Sequence, residues 1–111
     1  LGSLAVNGSL GPKNFKHLLI NNGAHESVGG QPTVGFEVEL SRVALAVGYS
    51  WASVVKEEKP FAQGLAELLE VPGPALLEVR VQCHSRSDLG RPTSTPLQNK
   101  NDFMEFLSRK P

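Results

Sequence analysis

The sequence predicts an α/β fold, a parallel sheet with helices on both faces. Three observations carry that prediction. Short, mostly apolar stretches at 17–21, 51–55 and 75–83 have the length of buried strands. They alternate with stretches whose apolar residues recur at helical spacing, in the order helix, strand, helix, strand, helix, strand, helix. Turn residues separate them: Gly11-Pro12, Gly48 and Pro72-Gly73-Pro74.

Leu1, Leu4 and Ala5 make one helix face, and Gly8, Gly11 and Pro12 end it. No Ser, Thr, Asp or Asn precedes that face as a cap, so the pattern is expected to begin inside an element, with the fold incomplete at its N-terminus. The strand at 17–21 runs into a loop, 22–35, that carries Gly23, Gly29, Gly30, Pro32 and Gly35. Such length is unusual between α/β elements, and loops like this are usually functional or mobile. Phe36, Leu40, Val43, Ala44 and Val47 predict a helix, with Gly48 as its C-terminal glycine. After the strand at 51–55, Pro60 suits a first helical turn, and Phe61, Leu65, Leu68 and Leu69 form its apolar stripe. The third strand, 75–83, places Cys83 in phase with Ala75, Leu77, Val79 and Val81, which predicts a packed thiol. A second polar loop, 84–98, leads to a last helix bearing Phe103, Phe106 and Leu107, with Asn99 or Asn101 as its cap.

Composition narrows the function. The 111 residues suit one domain or part of one, and 40% are hydrophobic, enough for a small core. Eleven basic and eleven acidic residues cancel, and no basic stripe favours nucleic acid. No apolar run approaches the roughly 18 residues of a membrane span, and the first twelve residues lack the pattern of a signal peptide. One cysteine permits no internal disulfide and fits a reducing, cytoplasmic setting.

Ligands of parallel sheets sit at the carboxyl ends of strands. Loops 22–35 and 84–98 both leave carboxyl ends, so they are expected to rim one pocket. Asn22 offers a neutral amide oxygen suited to Mg²⁺, which takes few protein ligands and completes its shell with phosphate oxygens. An Asn at a strand end equally well makes a local turn. His25, Glu26 and Ser27 are acid–base residue types, yet adjacency in sequence is not convergence in space, and solvated loop positions account for them as well. Gly29-Gly30 lacks the spacing of a dinucleotide fingerprint or a P-loop. Cys83-His84 has no partner at metal-ligand spacing. Arg86 and Arg91 flank Asp88 and Gly90; they can grip a phosphonate or carboxylate, or pair with Asp88.

The stretch "PKNFKHLLINNGAHESVGGQPTVGF" strongly resembles the phosphonopyruvate decarboxylase family of thiamine-diphosphate enzymes, as do "GPALLEVRV" and "SDLGRPTSTPLQNK". Together these cover nearly the whole chain. The resemblance implies thiamine diphosphate and Mg²⁺ as cofactors, with the Asn22 side-chain oxygen and the Ala24 carbonyl on the metal. It implies that Gly23 lets the loop approach the diphosphate. It places His25 and Glu26 as candidate catalytic residues, and Ser27 and Val28 along the cofactor. Arg86 and Arg91 become the candidates for the anionic groups of 3-phosphonopyruvate, whose loss of CO₂ gives phosphonoacetaldehyde. The family's motif opens with Gly-Asp-Gly, which is not among these residues. Residues 1–111 are therefore expected to be the C-terminal part of the diphosphate-binding domain. The pyrimidine-binding domain would lie elsewhere, with active sites between the subunits of a homo-oligomer, and this part alone would be inactive. Decarboxylation of sulfopyruvate or another 2-oxo acid, and a truncated non-catalytic assembly module, are the alternatives.

Overall fold

The structure, a computed structural model, describes residues 1–84 and 86–109. Its elements are α1 (Gly2–Leu10), β1 (Lys16–Asn21), a small hairpin of β2 (Ala24–His25) and β3 (Gln31–Pro32), α2 (Leu40–Ala46), β4 (Trp51–Val55), α3 (Glu58–Glu70), β5 (Ala75–Arg80) and α4 (Pro96–Ser108). Single 3-10 turns occupy Glu26–Val28 and Val34–Phe36.

Strands β1, β5 and β4 form a parallel sheet in that order, so the last strand in sequence lies at its centre. That position explains the composition of β5. Ala75, Leu76, Leu77 and Glu78 are wholly buried, because helices cover both faces of the strand. Leu76 packs with Leu4, Ala44 and Tyr49 beneath α1 and α2. Ala75 and Leu77, on the opposite face, pack with Val55 and with Leu68 of α3. Gly64 lets α3 come close, since a Cβ there would stand 3.2 Å from Leu77 Cδ1. Likewise, α1 rests against the end of α2 at Gly8, where a Cβ would run into the Val47 carbonyl. The α/β architecture read from the periodicity is the one observed. Among the described residues, no helix is long and apolar enough to cross a membrane.

Three element boundaries differ from the sequence-based expectation. Phe36 does not begin α2; it sits in the 3-10 turn before it. The Asn21 amide donates to the Gly35 carbonyl at 2.7 Å and draws residues 34–36 onto the sheet edge. Strand β5 stops at Arg80, where its neighbour β1 also stops at Asn21, so nothing continues the ladder. Cys83 therefore lies in the loop beyond the strand, not in the core. Finally, α4 starts earlier than an Asn99 or Asn101 cap allows. Thr95 and Gln98 form a capping box with Pro96 in the first turn.

Candidate functional site

The register of β1 on β5 pairs Asn21 with Arg80, so the loops that follow both strands leave the same edge of the sheet. Asn21 is only 8% exposed. Its Oδ1 accepts from the Gly23 N–H at 3.0 Å, and its Nδ2 donates to Gly35 O and, at 2.9 Å, to Glu78 Oε1. Asn22 repeats the turn one residue on. Its Oδ1 accepts from the Ala24 N–H at 3.1 Å, and its Nδ2 donates to Glu26 Oε2 at 3.2 Å. Both asparagines thus make local turns. Gly23, which follows them, has φ 67°, and a Cβ on it would stand 2.6 Å from the Phe36 ring. The Arg80 guanidinium lies over the same ring, 5.3 Å from its centroid.

The hairpin decides which oxygens remain free. Thr33 N donates to Gly23 O at 2.8 Å, so residues 23 and 33 form a hydrogen-bonded pair. The next pair, Ala24 with Pro32, is then of the non-bonded kind, and Pro32 has no N–H to give. The Ala24 carbonyl takes no ladder bond. An amide oxygen carries two lone pairs, so Asn22 Oδ1 keeps one beyond its bond from Ala24. Among the described residues, no group of three or more His, Cys, Asp or Glu side chains can hold a metal. A cation here would rest on neutral oxygens and on oxygens of its ligand, which suits Mg²⁺.

The start of the second loop folds across this turn. Val81 N donates to Asn21 O at 2.9 Å, and the Cys83 thiol points to Asn22 O at 3.5 Å. His84, with φ 106°, donates its N–H to Glu26 Oε1 at 2.7 Å. The Glu26 carboxylate thereby ties Asn22 to the exit of β5. Asn22, Gly23, Ala24 and Glu26 are brought together. His25 is exposed at the hairpin, and Ser27 and Val28 are exposed in their 3-10 turn.

The two arginines go elsewhere. Arg86 pairs with Asp88 through two hydrogen bonds, at 2.9 and 3.2 Å, and both side chains are exposed. Arg86, Leu89, Gly90 and Arg91 line a separate hollow of about 350 Å³ that residues 22–28 do not border. Among the described residues, the hollow at Arg86 and Arg91 is not shared with the asparagine loop, and Arg86 pairs with Asp88 within its own turn. Closer to the asparagines, Arg80 and Lys56 share the rims of two hollows of about 240 Å³ at the carboxyl ends of β4 and β5.

Sequence reasoning missed Glu78. It is wholly buried, Oε1 accepts from both Asn21 Nδ2 and Arg80 Nε at 2.9 Å, and among the described residues Oε2 has no hydrogen-bond partner. The signal was present: one carboxylate inside a strand read as covered on both faces must find a donor.

No family model matches the chain. Over all 111 residues it is 37% identical to a phosphonopyruvate decarboxylase of Streptomyces viridochromogenes, and over 108 residues, 97% of the chain, it is 37% identical to one of Streptomyces hygroscopicus. It spans 28% and 27% of the length of those two proteins. From its first residue to its last, the chain is homologous to one part of the phosphonopyruvate decarboxylases.

Proposed function

We propose that this chain serves the decarboxylation of 3-phosphonopyruvate to phosphonoacetaldehyde, with thiamine diphosphate and Mg²⁺, in a cytoplasmic homo-oligomer. The observation that carries the reading is the pair of oxygens at the end of β1. Asn22 Oδ1 and the Ala24 carbonyl lie two residues apart, and neither is used up by the hairpin. They are the groups that would hold Mg²⁺. When bound, thiamine diphosphate supplies the electron sink for loss of CO₂, and the metal anchors its diphosphate.

The chain's own residues do the positioning. Glu26 accepts from Asn22 Nδ2, so the amide nitrogen is held aside and the oxygen is turned toward Ala24. This gives Glu26 a defined part in the site, as an orienting group for the metal ligand. The bond from His84 N fixes that carboxylate against the sheet. Ser27 and Val28, in the turn that follows, would border the cofactor, and His25 beside them would face entering substrate. Arg86 and Arg91 would meet the phosphonate and carboxylate of the substrate; Arg86 must first leave Asp88.

Replacing Asn22 with leucine in the full chain removes one of the two oxygens. Calorimetry with thiamine diphosphate and Mg²⁺ should then show cofactor affinity lowered by roughly 10–100-fold, and turnover should fall with it. Unchanged affinity in the variant refutes the assignment. Competition between 3-phosphonopyruvate and sulfopyruvate in the wild-type protein identifies the substrate.

A further inference from the structure

We propose that Glu78 is a positioning residue: through Asn21 it clamps both ends of the loop that presents Asn22 and Ala24. Residues 22–35 leave the sheet at Asn21 and return to it at Gly35, and the Asn21 amide holds the two ends together. Its Oδ1 takes the Gly23 N–H at 3.0 Å, while its Nδ2 gives to Gly35 O at 2.7 Å. The return is as close as a residue without Cβ permits, since a Cβ on Gly35 would stand 2.7 Å from Asn21 Oδ1.

An asparagine amide is nearly symmetric in shape, so its partners decide which way round it sits. A carboxylate only accepts. Glu78 Oε1, 2.9 Å from Nδ2, therefore requires the nitrogen on its side and leaves the oxygen for Gly23. Glu78 is suited to this because its surroundings hold it in place. It is wholly buried on the central strand, and Arg80 Nε holds the same oxygen at 2.9 Å. Burying a carboxylate with one unpartnered oxygen opposes folding. An apolar side chain of similar volume would pack there without that cost, so the carboxylate's contribution lies in orientation. The bond runs between residues 57 apart in sequence and reaches the position next to Asn22. Groups bonded directly to a metal ligand are typically worth roughly 10–100-fold in metal affinity, and Glu78 acts one bond further out, through Asn21.

This inference rests on the reading of Asn22 and Ala24 as metal ligands, and its test separates the two. The full chain is compared with Glu78→Leu and Glu78→Gln by amide hydrogen exchange and by Mg²⁺ titration with saturating thiamine diphosphate. In Glu78→Leu the amides of Leu76 and Leu77 should stay protected, which shows that the sheet is folded. Exchange at Gly23 should quicken on the order of tenfold, as for one lost hydrogen bond, and Mg²⁺ affinity should fall by about tenfold, the lower end of that range. Glu78→Gln keeps an acceptor for Asn21 and should restore most of both. If Glu78→Leu does not fold, Glu78→Met replaces it, and Asn21→Ala, which removes the amide's bonds to Gly23, Gly35 and Glu78 together, sets the full size of both losses. Unchanged exchange at Gly23 in either disruptive variant overturns the clamp. So does unchanged Mg²⁺ affinity, provided the wild type binds. A wild type that takes up no Mg²⁺ with thiamine diphosphate instead overturns the proposed function, and exchange at Gly23 still decides the clamp.

Discussion

Gly23 shows how one missing Cβ joins three elements. Its φ of 67° lies in the left-handed region, and its bare Cα faces the Phe36 ring. Arg80 covers that ring, so the turn after β1, the turn before α2 and the end of β5 meet at one aromatic side chain. Gly23→Ala should cost about 1–2 kcal/mol for the backbone alone. A further loss comes from displacing Phe36, so the urea midpoint should fall more than in Gly30→Ala. Gly30 also has positive φ, at 71°, but open space where its Cβ would be. Equal midpoints for the two variants would show that Phe36 does not press on Gly23. The Asn-Asn pair and its glycine were legible in the sequence as a polar, permissive turn. Phe36 was not legible as their partner, because its spacing to Leu40 also fits a helix.

The best-marked element boundary is the start of α4. Thr95 Oγ1 accepts from Gln98 N at 3.2 Å, and Gln98 Oε1 accepts from Thr95 N at 2.8 Å. Thr95→Ala should cost the helix about 1 kcal/mol. Since α4 is exposed along its described length, that loss should remain local. Amide exchange at Gln98 and Asn99 should quicken while the amides of β5 keep their protection; a loss spread into the sheet would contradict the picture. The capping pattern Thr-x-x-Gln stood in the sequence. Counting back from Phe103, Phe106 and Leu107 placed the boundary too late, and those three residues are more than 60% exposed. Strand β5 was placed correctly at its start and overextended at its end. A strand's length depends on its neighbour, and β1 offers no partner after Asn21.

At the scale of the whole molecule, stability depends on the two faces of one sheet, and one face contains a titratable ring. His17 packs edge-on against Phe15, with centroids 5.8 Å apart, and shares a hydrogen bond with the Tyr49 hydroxyl at 3.3 Å. Burial holds its pKa below the usual 6.5. The folded chain thus binds this proton less readily than the unfolded chain does. The neutral ring's contribution is complete above the unfolded value of about 6.5 and is lost as pH falls through it toward the lower folded value. The urea midpoint should therefore decline as pH falls through about 6.5, and His17→Phe should flatten part of that decline. An identical slope in His17→Phe would remove His17 from the account.

The sequence by itself determined what is local: three strand-length apolar runs, helices with one apolar stripe, and a turn rich in amides and glycines after the first strand. Periodicity and turn chemistry act over a few residues, so they survive without knowledge of neighbours. Tertiary structure decided what depends on register. The order β1, β5, β4 placed Glu78 beside Asn21. It also set Arg80 over Phe36 and carried residues 81–84 across the asparagine turn. Arg86 and Arg91 went to a hollow of their own. A buried carboxylate and a buried amide can find each other only once the strands carrying them are side by side, and no spacing within either strand encodes that meeting.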